Sequence, residues 1–146
     1  VEIKDQDGAL GSNVGPLEQA IGKVVVNYEG PIAVMSFNPK SVAAFANCAP
    51  DVPRGLTTGS FKPQNWRQIP KAVRQYLRTV PDLEWTGARF ISHRFTELQC
   101  PRVQKSRANG TPVLCWMIKS QAEEDFARQC ADNITFEGYP ANIPAA

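Results

Sequence analysis

Short apolar runs alternate with longer amphipathic stretches along this chain, so the runs read as strands and the stretches between them as helices. Runs at Val1-Lys4, Pro31-Phe37, Arg54-Thr57, Ala88-Ser92, Pro112-Ile118 and Asn133-Gly138 give about six strands. The second is apolar on both faces, the pattern of a parallel strand covered on two sides. Helices are expected from Pro16 to about Tyr28, closed by Gly30, and from Asn38-Pro39 through about Cys48. A longer basic helix is expected from Trp66 to Val80, with Val73, Tyr76, Leu77 and Val80 on one side and Arg67, Lys71, Arg74 and Arg78 on the other. Two more follow, one from Cys100-Pro101 to Asn109-Gly110 and one from Ser120 to Ala131, where Glu123 stands at capping-box distance from Ser120. A Pro-rich tail ends the chain.

Repeated strand and helix units with buried parallel strands leave two architectures, a doubly wound open sheet or a barrel of eight. Both place ligands beyond the carboxyl ends of the strands. The residues expected there are Glu2 with Lys4, Ser36-Phe37-Asn38, Arg54, Ser92-His93-Arg94, Trp116 with Lys119, and Glu137. Glu2 and Lys4 are two positions apart in a strand and leave the same face. An acid and a base side by side in an apolar run are costly to bury, which marks them as a place for a metal ion or an anion.

Charge narrows the partners. Sixteen Lys and Arg against 14 Asp and Glu leave a net charge of +2, too little to argue for nucleic acid or a membrane surface. No apolar run is long enough to span a bilayer. Cys48, Cys100, Cys115 and Cys130 are scattered without a C-x-x-C pair, which argues against zinc and for small buried hydrophobes in a reducing, cytoplasmic setting. The basic face of the Trp66–Val80 helix is either a solvated surface or a patch that draws anions. His93, the only histidine, follows a strand but reads as structural or at the rim rather than as a general base. Arg54 is a candidate phosphate ligand through its planar fork, with a capping or surface role as the alternative.

Five motifs in order, Val-Glu-Ile-Lys, Val-Met-Ser-Phe-Asn-Pro, Pro-Arg-Gly-Leu, Pro-Val-Leu-Cys-Trp and Asp-Asn-Ile-Thr-Phe-Glu-Gly-Tyr-Pro, resemble the later part of the glycerophosphodiester phosphodiesterase family. The resemblance implies an α/β TIM-type (β/α)8 barrel, incomplete here, whose strands three to eight are the six counted above. Residues 1–146 would form a single partial barrel domain with an inserted basic helical segment at about 60–86. It also implies hydrolysis of glycerophosphodiesters to an alcohol and glycerol 3-phosphate with a divalent cation, Mg²⁺ or Ca²⁺. On that resemblance Glu2 matches a metal ligand, Lys4 the basic catalytic residue that lies beside the phosphate, and Phe37 and Trp116 the aromatic wall of the substrate pocket.

The chain departs from the family pattern at Asn38, where Asp is frequent, at Met117, where Thr usually follows the Trp, and at Glu137, where Asp is common. The His-Arg-Gly motif, the Glu-x-Asp pair and the acid/base histidines are absent from these 146 residues, so this chain alone is expected to be inactive. The alternative is a non-catalytic phosphoester-binding or regulatory partial barrel, completed by a second copy or a partner chain. A doubly wound phosphate-binding module ranks last, because no G-x-G-x-x-G or P-loop motif opens a helix.

Overall fold

In a computed structural model, residues 1–141 are described. Five parallel strands lie in chain order in one sheet: β1 (Val34–Ser36), β2 (Arg54–Thr58), β3 (Phe90–Arg94), β4 (Val113–Ile118) and β5 (Asn133–Phe136). The opening residues extend the sheet beyond β1 through a parallel bridge between Glu2 and Met35. There Ile3 N–H donates to Met35 O at 2.8 Å and Met35 N–H to Val1 O at 2.9 Å. Strand order follows sequence order with no reversal, so the sheet is an arc of a barrel and not a doubly wound sheet. The fold is a curled half-barrel with helices on its outer side.

Register decides which side chains face the helices. Leu56, Ile91 and Val113 are lateral neighbours, and with Ile3, Val34 and Cys115 they turn to the outer, helix-covered side. There Phe45 and Ala49 of α2 (Pro39–Cys48) pack on Ile3 and Val34, while Val103 of α5 (Pro101–Ala108) and Ala127 of α6 (Gln121–Ala127) pack on Ile91, Val113 and Cys115. The alternate residues form the concave side. Met35, Gly55 and Phe90 make one rung, joined by Glu2, and Thr57, Ser92 and Leu114 make the next. Gly55 is required here, because a Cβ at that position would stand 2.3 Å from the Phe90 ring.

Local chemistry explains most element ends. Asn38 caps α2 by accepting the Lys40 N–H at 3.0 Å, and Pro39 fills the first helical position. Ser120 accepts the Glu123 N–H at 3.3 Å as its spacing predicts, although the Glu123 carboxylate turns back to the N–H of Lys119, at 2.7 Å. The first helix, α1 (Pro16–Val25), stops three residues short of Tyr28. Its Glu18 is buried and accepts from Gly15 N–H at the helix start and from the Ser41 hydroxyl of α2, which ties the two helices together.

The basic helix is shorter than its periodicity predicts. Pro70 has no N–H and holds the preceding residue out of helical geometry, so α3 covers only Lys71–Leu77. It ends before Val80, whose φ of 51° is left-handed, and a one-turn helix, α4 (Leu83–Thr86), follows. Arg67 and Lys71 are exposed, but the other two basic residues of this face are half-buried rather than solvated. Arg74 donates to the carbonyls of Trp66 and Ile69, and Arg78 to those of Ser60 and Phe61, so both clamp the 59–70 segment to α3.

His93 shares the outer parity of Ile91 and is fully buried behind the sheet, away from the concave side. Its Nδ1 meets the Thr58 hydroxyl at 2.7 Å, and its Nε2 lies 3.8 Å from both Cys100 Sγ and Glu97 Oε2. Burial, reinforced by the Arg102 charge and partly offset by Glu97, pushes its pKa down to about 4.

Two stability changes follow. Glu18→Ala leaves the buried Ser41 hydroxyl and the half-buried Gly15 N–H without their acceptor and should cost about 2 kcal/mol in chemical denaturation. For His93 the folded value lies below the unfolded one, so the unfolded chain takes up the proton first. Stability should fall as pH drops from about 6.5 to about 4, a loss of about 3 kcal/mol that is complete below that range. The difference between the pH–stability curves of the parent and His93→Gln isolates this contribution from the carboxylates.

Candidate functional site

At the carboxyl ends of the strands the concave side opens into a mouth. Glu2 and Lys4 emerge there from the opening segment, and Lys4 Nζ donates to Glu2 Oε2 at 2.7 Å. The Glu2 side chain is 23% exposed and that of Lys4 75%, so both remain within reach of solvent and of a ligand. The next residues form a tight polar loop. Asp5 accepts the Leu10 N–H at 2.9 Å, and Asp7 accepts those of Ala9 at 2.9 Å and Gly11 at 3.3 Å. The two N–H groups on Asp7 hold its carboxyl below the usual carboxylate range.

Asn38 joins this loop to the sheet. Its side-chain amide donates to Asp5 Oδ1 at 2.8 Å and to Gly11 O at 3.0 Å, and it is buried. An aspartate there would bring two carboxylates together and lose both donations. The amide is thus what this loop conformation needs, whatever related sequences carry.

Four aromatic rings wall the mouth. Phe37, directly after β1, lies 5.3 Å from Trp116, 5.0 Å from Trp66 and 6.2 Å from Phe61, measured between ring centroids. Phe61 and Trp66 are themselves 5.1 Å apart. The sequence pointed to Phe37 and Trp116, whereas Phe61 and Trp66 arrive on the segment that Arg74 and Arg78 clamp. Their signal was an aromatic pair in a Pro- and Gly-containing stretch after a strand's carboxyl end, where barrels place ligand-contacting loops. Trp116 is fixed by its Nε1–H, which is shared between Thr58 O and Ser92 O, both at 3.1 Å. Arg94 lies over the Trp116 indole, its guanidinium carbon 5.9 Å from the ring centroid. A hollow of about 490 Å³ opens nearby between Leu10, Lys40, Val73, Tyr76 and Trp85, where the Tyr76 hydroxyl and the Trp85 indole share Asp82 Oδ1.

Arg54 does not belong to the mouth. It is the first residue of β2, at the opposite end of the strand, and donates to Thr86 O at 3.2 Å and Pro50 O at 3.0 Å. Its fork braces the lower loops, so Arg54 is corrected from substrate ligand to framework residue. Lys119 and Glu137 pair with each other at 2.8 Å on the surface, and that contact raises the Lys119 pKa.

The donor set does not by itself suit a hard cation. Mg²⁺ and Ca²⁺ prefer about six or more oxygen ligands. Glu2 offers one carboxylate, already paired with Lys4, and the described residues contain no group of three His, Cys, Asp or Glu placed to hold a metal. No helix among the described residues is long and apolar enough to cross a membrane.

Neither the family models nor the curated proteins give a match to this chain. Solved structures do. A phosphodiesterase from Oleispira antarctica, in complex with the product sn-glycerol-3-phosphate, aligns at 18% identity and a TM-score of 0.58 over 82% of this chain and 46% of its own. A glycerophosphodiester phosphodiesterase from Parabacteroides distasonis aligns at 15% identity and 0.56, over 92% of this chain and 51% of its own. A candidate glycerophosphodiester phosphodiesterase from Galdieria sulphuraria aligns at 19% identity and 0.63, with the same coverage. The chain spans about half the length of these proteins. What it shares with them is the fold: a parallel half-barrel of the kind found in glycerophosphodiester phosphodiesterases.

Proposed function

We propose that this chain supplies the phosphate- and alcohol-facing part of a metal-dependent phosphodiesterase that converts glycerophosphodiesters to an alcohol and glycerol 3-phosphate. The observation that carries this reading is the register: Glu2 stands in the same rung as Met35, Gly55 and Phe90, so the acid and its partner Lys4 face the concave side of a parallel arc. Support comes from the aromatic wall at the same end and from the fold shared with the Oleispira protein, whose structure contains sn-glycerol-3-phosphate.

Roles follow from chemistry. Lys4 carries a mobile ammonium at the mouth, suited to offset charge that grows on phosphoryl oxygens in the transition state. Phe37 and Trp116 offer ring faces on which the glycerol or alcohol moiety packs. Glu2 contributes one carboxylate toward Mg²⁺ or Ca²⁺, a cation that would polarise the phosphate when bound; the other ligands are not among these residues. The single histidine is buried behind the sheet and cannot move protons at the mouth. These 146 residues alone are therefore inactive on this reading. Four free thiols support a reducing, cytoplasmic setting on this reading.

A second reading is favoured by the sheet edges. β5 has an exposed outer strand position at Phe136, and the opening segment bounds the other edge. On that reading the chain is a non-catalytic binding piece completed by a second copy or another chain.

In the intact protein, Glu2→Ala and Lys4→Gln should each lower release of glycerol 3-phosphate from glycerophosphocholine by about 10²-fold or more, with circular dichroism unchanged. Full turnover in both variants would refute the assignment. Native mass spectrometry decides the second reading: pairing requires a dimer or a mixed complex, and a soluble monomer excludes it.

A further inference from the structure

Six arginines among the described residues are half-buried, and five have an oxygen partner. Arg54, Arg74 and Arg78 donate to main-chain carbonyls, Arg102 to Arg78 O and Glu97, and Arg128 to Glu124. Arg94 is the exception. It makes no hydrogen bond or ion pair within the described residues, and its one contact of note is the indole face of Trp116.

Its position makes that exception informative. Arg94 is the last residue of β3 and the register partner of Trp116, so both stand on the concave side at the carboxyl end, one rung above Ser92 and Leu114. Gly59 sits beside them, with space for a Cβ only 3.6 Å from Arg94 Cβ and 3.7 Å from Trp116 Cζ2. Trp116 cannot swing freely, because its indole N–H is divided between two strands. The guanidinium therefore lies beside a fixed ring, and its N–H donors have no partner among the described residues. Two further polar groups on this side lack partners: Thr57 Oγ1 and Ser92 Oγ are buried, adjacent in register and unbonded. Lys4 comes from the opposite part of the arc, three strands away. Arg94 thus faces the same concave side as Lys4, and the Glu2 carboxylate on that side is matched to Lys4, not to Arg94.

We propose that Arg94 is an anion-binding residue of the mouth, whose planar fork takes the two non-bridging oxygens of a phosphodiester beside Trp116. With no hydrogen-bond or ion-pair partner among the described residues, the guanidinium keeps its in-plane N–H groups free, as bidentate oxyanion recognition requires. The identity of the anion as a phosphodiester rests on the function proposed above. The cationic seat does not, and the two are separable by experiment.

The probe is dimethyl phosphate, the smallest phosphodiester monoanion, titrated into the intact protein and followed by calorimetry and Trp emission. Inorganic phosphate serves as the comparison anion. Arg94→Gln should weaken dimethyl phosphate binding more than about tenfold and flatten its salt dependence. Arg94→Lys keeps the charge without the fork and should recover only part of the loss. Near-UV circular dichroism checks that Trp116 keeps its environment; if Arg94→Gln misfolds, Arg94→Lys is the variant that decides. Binding within about twofold of the parent in a folded variant, or no binding of either anion by the parent, would overturn the role of Arg94. Loss confined to Arg94 variants, with glycerophosphocholine turnover insensitive to Glu2→Ala and Lys4→Gln, keeps the anion seat and removes the glycerophosphodiester reading. Preference for inorganic phosphate by more than about tenfold would overturn the diester assignment.

Discussion

Because all strands of this sheet are parallel and their side chains alternate, one choice of register assigns every strand residue to a face. With Leu56, Ile91 and Val113 placed against helices, the intervening residues have no option but the concave side. A slip by one residue would put His93 and Cys115 into the mouth and send Glu2, Ser92 and Arg94 among the helices. The same parity explains why His93 does not face the mouth: its Thr58 contact and low pKa belong to packing between sheet and helices. Thus the chemistry of the mouth is a consequence of what the outer face must bury.

Upon that frame the mouth is assembled from pieces far apart in sequence. The polar loop after the opening segment is organised by Asp5 and Asp7 and tied to α2 by Asn38. The aromatic wall draws one ring from beside β1, one from β4 and two from the clamped 59–70 segment. Trp116 is the hinge of this assembly, since it touches Phe37, carries Arg94 and bonds to two strands at once.

What could be read from the sequence was mostly local. The Asn38-Pro39 start of α2 was legible because cap and first turn are adjacent in the chain, and the helix runs over Pro39–Cys48 as expected. Strand positions were legible from apolar runs, although β1 is only Val34–Ser36, because Pro31 to Ala33 lie outside the ladder. The Trp66–Val80 helix was misread because periodicity outweighed the proline at position 70. Arg54 was misplaced because a strand's composition does not announce which end faces a ligand. No local pattern marks Glu18 for burial, which depends on Ser41, 23 residues later. Arg94 and Trp116 likewise meet only through the β3–β4 register, which no local pattern encodes.

The arginine clamps on the 59–70 segment have an evolutionary implication. Arg74 and Arg78 grip carbonyl oxygens, and every amino acid offers one. Substitutions at positions such as Lys62, Gln64 or Arg67 therefore leave the tether intact, provided Phe61, Trp66 and Ile69 keep their apolar contacts. The rim of the cavity is free to drift in shape and polarity while its anchorage stays constant, an arrangement by which one scaffold can be adapted to different ligands.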